Sequence, residues 1–217
     1  MALQNRVRPD GEIVASPEYG MFMGNRGGRL HDPDTRTLVR TQSSRQWICC
    51  VLAFKSRRRQ VMGAGYTELF FMDEVTALSA GHRPCFECRR ADALAFCAAW
   101  QTAHGLAAPP SAPDMDRILA SERRGRGGAK LTWSAAAGSL PDGAMARIGA
   151  TVFAVYDRKF LPWTPAGYRA CIPIDLNLEV EVLTPPSIAG SLHAGYQPIW
   201  HRDVERAGNN NQEATIR

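Results

Sequence analysis

Two cysteines three positions apart, Cys85 and Cys88, lie in the run Gly81-His-Arg-Pro-Cys-Phe-Glu-Cys-Arg-Arg90. A Cys-x-x-Cys turn aims both sulfurs at one point and supplies half of a tetrahedral zinc site, with Zn–S bonds of about 2.3 Å. The remaining ligands must come from elsewhere. The only upstream cysteines, Cys49 and Cys50, are adjacent. Neighbouring strand residues point to opposite faces, so one of the two reaches a shared metal. Cys50 shares a face with Ile48, Leu52 and Phe54, and Cys49 with Trp47 and Val51, which leaves the choice between them open. The same motif also serves as a redox pair in a βαβ setting, or as two inert thiols, and zinc is the favoured reading.

Arginines surround this motif. Arg57, Arg58 and Arg59 fall in an expected hairpin turn, and Arg83, Arg89 and Arg90 flank the cysteines. Together they would make a basic patch able to contact phosphates. Charge is unevenly distributed: residues 1–60 carry a net +6, residues 61–130 are balanced and residues 131–217 carry −1. A one-sided basic excess favours an anionic partner such as nucleic acid. Gly24-Asn-Arg-Gly-Gly-Arg29 has backbone N–H groups and arginines suited to an anion, but lacks the spacing of a phosphate-binding or dinucleotide fingerprint; an ordinary loop is favoured.

The elements that must position these groups follow from local signals. Residues 47–54 are continuously apolar and residues 66–72 are β-rich; the two read as an antiparallel hairpin. Asp73 suits the N-cap of a short helix over 74–80, and Gly81 its C′ position. Helices are expected over 91–102, with Leu94, Cys97, Ala98 and Gln101 along one side, and over 114–124, with Met115, Ile118 and Leu119 inward. The proline-rich segment 105–113 reads as a linker between them. Strands follow at 151–156 and 177–183, and a last helix at 187–194. The expected fold is α+β, with a zinc-stabilised hairpin and helix unit at 20–104, a strand-rich part at 114–206 and a disordered tail at 207–217.

At 217 residues, 45% hydrophobic and 22% charged, the chain is long enough for a substantial core. It holds no apolar run of membrane-spanning length, so no membrane partner is expected. Six cysteines behind an N-terminus without an apolar leader read as reduced thiols, so a cytoplasmic protein is expected.

The stretch 66–90 resembles the zinc-binding module of the Ada DNA-repair family, in which a strand leads into a short helix, then a Gly-x-Arg-Pro-Cys-x-x-Cys turn and basic residues. Gly81, Arg83, Pro84, Cys85 and Cys88 carry the resemblance. It implies zinc as cofactor, DNA as the favoured nucleic-acid partner, and a repair, modification or defence context. Shorter relatives of the module are similar in placing a histidine after a Gly-Asn turn. The run Gly24-Asn-Arg-Gly-Gly-Arg-Leu-His31 resembles that arrangement, which implies His31 as fourth ligand, with His82 behind it. A Cys₃His site of this kind would be closed and structural. Ada-type domains have a spaced cysteine pair upstream, and the departure here argues against their methyl-acceptor chemistry. Two other readings remain: an enzyme with its active site in the C-terminal part, and a non-catalytic protein-interaction module.

Overall fold

The computed structural model describes residues 2–56 and 60–209. Within them, five α-helices and two six-stranded sheets make an α+β fold. The first sheet contains β1 (Gln4–Val7), β2 (Ile13–Ala15), β3 (Phe22–Asn25), β4 (Ile48–Cys50), β5 (Leu69–Phe71) and β6 (Arg83–Pro84), in the order β2-β1-β5-β3-β4-β6. It therefore begins well before residue 20. The hairpin expected from 47–54 and 66–72 does not form, because β3 lies between β4 and β5 and pairs antiparallel with both. Gly24 makes this insertion feasible: a Cβ there would lie 2.1 Å from the Ile48 carbonyl oxygen and 2.8 Å from the Phe71 ring.

Helix α1 (Glu74–Ser79) is buried along its whole length. Asp73 caps it, its carboxylate accepting from the Thr76 N–H at 2.8 Å and the Thr76 hydroxyl at 2.7 Å. Gly81 ends the segment at φ +88°, where a Cβ would run into the Arg123 side chain at 2.4 Å. One side of the helix, Ala77 and Ala80, packs with Phe22, Cys49, Leu69 and Phe71 of the first sheet. Another, through Val75, joins Met145, Val152 and Leu161 of the second. The segments 20–104 and 114–206 thus share a core around α1.

Helix α2 (Arg90–Ala103) turns Ala93, Phe96, Cys97 and Trp100 inward, while Leu94 is 51% exposed. Its buried face is therefore rotated from the one expected: Phe96 and Trp100, four apart, set it. Helix α3 (Ala112–Arg123), capped by Ser111, buries Met115 and Leu119 against α2 and against α4 (Pro186–His193).

The second sheet runs β11-β10-β9-β8-β12-β7, with every pairing antiparallel. Its strands are β7 (Trp133–Ala136), β8 (Met145–Ile148), β9 (Thr151–Tyr156), β10 (Lys159–Thr164), β11 (Gly167–Tyr168) and β12 (Glu179–Val182). Helix α5 (Val204–Asn209) closes the described chain, so residues 207–209 of the expected tail are helical, with Ala207 in the core. The rest of that tail, 210–217, lies outside the described residues. No helix among the described residues is long and apolar enough to cross a membrane.

Candidate metal centre

Alternation along β4 separates the two adjacent cysteines. Cys50 faces the side of the first sheet away from α1, and its Sγ lies within 4.8 Å of the Sγ atoms of both Cys85 and Cys88. Cys49 points the other way into the core, where its Sγ accepts from Arg89 Nη1 at 3.4 Å. The main chain fixes the cysteine turn. The Cys85 N–H donates to the Cys49 carbonyl at 3.0 Å, extending the parallel β4–β6 ladder, and the Arg89 N–H donates to the Cys85 carbonyl at 3.0 Å. The Glu87 N–H donates to Cys85 Sγ at 3.4 Å. Such N–H···S bonds stabilise thiolate ligands and orient them.

The three sulfurs differ in acidity. Cys85 is lowered to about 5, first by a hydrogen bond from Cys50 and further by backbone N–H groups of Cys88 and Glu87, against the opposing effect of burial. Cys50 is raised, as the donor of that bond and by desolvation. Cys88 is raised by burial. Cys49 is pushed well up, by burial first and then by the Glu74 carboxylate, which keeps it a neutral core thiol. A cluster in which one sulfur is already anionic and two more converge on it suits a soft divalent cation such as zinc. Among the described residues, no histidine or carboxylate joins the three sulfurs.

His31 stands apart from this cluster. Its Nδ1 is 2.6 Å from the Thr67 hydroxyl and its Nε2 is 2.8 Å from the Gly63 carbonyl, so both ring nitrogens are occupied in pinning the Gly24–Leu30 loop to the 63–67 turn. His82 is also elsewhere: fully buried between Trp47 and Phe71, its Nε2 accepts from Arg26 Nε at 3.3 Å. Burial and the neighbouring guanidinium of Arg26 lower it well below its ordinary value, so it is neutral.

Of the arginine patch, Arg83 and Arg89 are placed inside the fold. Arg83 is buried and forms a bidentate pair with Asp116, Nε to Oδ1 at 2.9 Å and Nη2 to Oδ2 at 2.7 Å. Arg89 is buried too, donating to Glu74 at 2.7 Å and to Asp92 at 2.9 Å. Both are internal ties between helices and strands, closed to phosphates. Arg90 is exposed at the start of α2. Arg57, Arg58 and Arg59 lie outside the described residues.

Sequence reasoning did not find the cavity beside the cysteines. A pocket of about 620 Å³ is bordered by Cys50, Cys85 and Cys88. Its apolar wall comes from Met23, Ile48, Leu52, Val61 and Phe70, and Asn25 and Glu68 add polar groups. Met23 and Asn25 on β3, Ile48 and Cys50 on β4, and Phe70 on β5 are alternate residues on one sheet face. The Glu68 carboxylate is fixed by the Met62 N–H at 2.9 Å. The i, i+2 spacing of these side chains was the available signal, but it is readable only once β3 is known to lie between β4 and β5.

Fold and site together define an α+β protein with a cysteine cluster able to hold a metal ion at the edge of an apolar pocket. Compared with known proteins, the chain matches no family model, no curated protein and no solved structure.

Proposed function

We propose that this chain is a zinc protein whose metal is held by the thiolates of Cys50, Cys85 and Cys88 and serves a ligand bound in the adjoining pocket. The observation that carries this reading is the convergence of three sulfurs, within 4.8 Å of one another, on the wall of a 620 Å³ cavity. Structural zinc sites are closed by four protein ligands, whereas three ligands beside a cavity leave a tetrahedral position for water or substrate. Bound there, zinc would supply a Lewis acid toward an oxygen, nitrogen or sulfur of that ligand. The chain's own residues do the rest. Met23, Ile48 and Phe70 offer an apolar surface that excludes water, and Asn25 and Glu68 offer a small number of polar contacts, the composition expected of a small-molecule site. This favours a working metal over the closed Cys₃His staple.

Metal content by mass spectrometry tests the reading. About one zinc per chain is expected, lost in Cys85→Ser and retained in Cys49→Ala and His31→Gln. Cobalt substitution adds a second readout: thiolate-to-cobalt absorption whose ligand-field bands shift when a probe such as imidazole is added. Metal-free protein purified without chelator, or zinc that survives Cys85→Ser, would overturn it.

A second reading, contact with nucleic acid in a repair, modification or defence setting, is supported by the +6 charge of residues 1–60 and by the Ada-like motif. Its test is the salt dependence of binding to a DNA duplex, whose slope counts neutralised phosphates. Salt-independent or absent binding would remove it.

A further inference from the structure

A second cluster of charge lies apart from the cysteines, around Trp47. The Arg26 guanidinium sits 3.8 Å from the centre of the Trp47 ring, Arg123 4.1 Å and Arg124 6.0 Å. Arg26 is 0% exposed and Arg123 2%. Apart from the bond from Arg26 Nε to neutral His82, their hydrogen bonds go to backbone carbonyls. Arg26 Nη2 and Arg124 Nη2 both donate to the Gly11 oxygen, at 2.8 and 3.1 Å. Arg123 donates to Gly81 at 3.1 Å and to Arg45 at 2.7 Å. Lys130 Nζ donates to Ser79 at 2.8 Å. Carbonyls satisfy N–H groups without neutralising charge.

Among the described residues, no carboxylate forms an ion pair with Arg26, Arg123, Arg124 or Lys130. Of the carboxylates that influence them, all but the exposed Glu12 are engaged elsewhere. Asp10 pairs with Arg8 and Arg147. Asp116 is held by Arg83, and Glu122 accepts from the Ser187 N–H and hydroxyl. Glu12, the other acid near Arg124, makes no ion pair with it. Buried guanidinium groups that repel one another are costly without a counter-charge. Carboxylates of the chain act on this cluster only at a distance, Asp116 and Glu122 on Arg123 and Asp10 and Glu12 on Arg124, so, unlike Arg83 and Arg89, it has room for a further anion.

Two members of the cluster, Arg123 and Arg124, border a cleft of about 430 Å³. Arg45, Arg123 and Arg124 line it together with the hydroxyl residues Thr41, Ser43 and Ser44. Gly125 and Gly128 form the opposite rim, where the chain turns with Gly127 and Gly128 at positive φ. Guanidinium groups and hydroxyls around a concave surface are the donors that recognise phosphate oxygens. The volume exceeds that of a bare phosphate and falls in the range of small-molecule sites. We infer that this cleft is a binding site for a phosphate group carried by a nucleotide-sized ligand, with Arg45, Arg123 and Arg124 as its cationic contacts. The cleft shares no residue with the metal centre.

Calorimetric titration in phosphate-free, low-salt buffer tests it, using inorganic phosphate, adenosine monophosphate, adenosine and a short single-stranded oligonucleotide, on the wild-type chain, Arg45→Ala and Arg124→Gln. Saturable binding of the monophosphate but not of adenosine is expected, weakened about tenfold or more in each variant, the loss appropriate to one charge-assisted contact. Arg45 is exposed, so its truncation leaves the fold intact should Arg124→Gln fail to fold. An oligonucleotide that competes with phosphate and binds more tightly than the monophosphate would identify a polymer as the phosphate source. The reverse ranking would identify a free nucleotide. Absence of saturable binding, adenosine binding as well as the monophosphate, or affinities unchanged by Arg45→Ala would overturn the site.

Discussion

The two sheets are stabilised by different chemistry. Around the second sheet, from Trp133 onward, the buried interior is apolar: Phe153, Phe160, Leu161, Val180 and Val182 fill it, and among the described residues beyond 123 the buried polar ones are Thr184, Ser187 and Ser191. Among the described residues, every buried Asp, Glu, Arg and His lies at or before residue 123. The first sheet also has shorter strands, mixed pairing directions and the three-cysteine cluster. One half is thus a hydrophobic scaffold, and the other holds desolvated charge in place. Within that charged half a finer contrast appears. Arg83 and Arg89 are matched to carboxylates and act as ties, whereas the arginines around Trp47 are matched to neutral acceptors, backbone carbonyls and His82. Buried charge with a partner supports structure, and buried charge without one points to a ligand.

The largest effect that would break this comparison is expected at Glu74. Its carboxylate accepts from Arg89 at 2.7 Å, from the Tyr196 hydroxyl at 2.7 Å and from the Ile199 N–H at 2.9 Å. Glu74→Ala leaves the buried Arg89 guanidinium with Asp92 as its one carboxylate and the Tyr196 hydroxyl without its acceptor, and is expected to destabilise the fold by about 3–5 kcal/mol in urea unfolding. A loss below about 1 kcal/mol would mean that the charged half is held otherwise. In the apolar half, Leu161→Ala is expected to cost about 3 kcal/mol through cavity formation, with metal content unchanged. If zinc were lost with it, the division of labour between the two halves would fail.

A pH-dependent effect sharpens the contrast between paired and unpaired cations. Burial, then the charges of Arg26 and Arg124, lowers Lys130 to about 7 from 10.5. Between those values the unfolded chain binds the proton and the folded chain does not, so stability rises with pH across that window and is flat below it. In phosphate-free buffer, wild-type protein is expected to gain stability relative to Lys130→Met from about pH 7 to about 10, by at most about 1.4 kcal/mol per unit. Parallel profiles for the two proteins would show that Lys130 is not held against its charge.

Much of the local structure was readable in the sequence. Asp73, Gly81 and the Cys85–Cys88 turn announce themselves through capping, left-handed conformation and ligand spacing, all encoded within a few residues. What was not readable depends on distant partners. The place of β3 between β4 and β5 rests on Gly24, whose need for close approach shows only against Ile48 and Phe71. Arg83 and Arg89 look like surface cations until Asp116 and Glu74 are placed against them. His31 follows a Gly-Asn turn that suggests a ligand, yet hydrogen bonds from 32 and 36 residues away occupy it. The pocket was hidden for the same reason, since its walls come from three strands whose order no local signal sets.

The strand order β2-β1-β5-β3-β4-β6 also has a consequence in time. As the chain leaves the ribosome, β1 and β2 emerge as one antiparallel pair and β3 and β4 as another, and neither pair touches the other. Both wait for β5, which slots between β1 and β3 and fuses them. At a synthesis rate of about 5–20 residues per second, the 34 residues between Cys50 and Cys85 delay assembly by several seconds. Throughout that interval Cys50 is translated but lacks its partners, so an ion held by all three sulfurs could be bound only once residue 88 has been made.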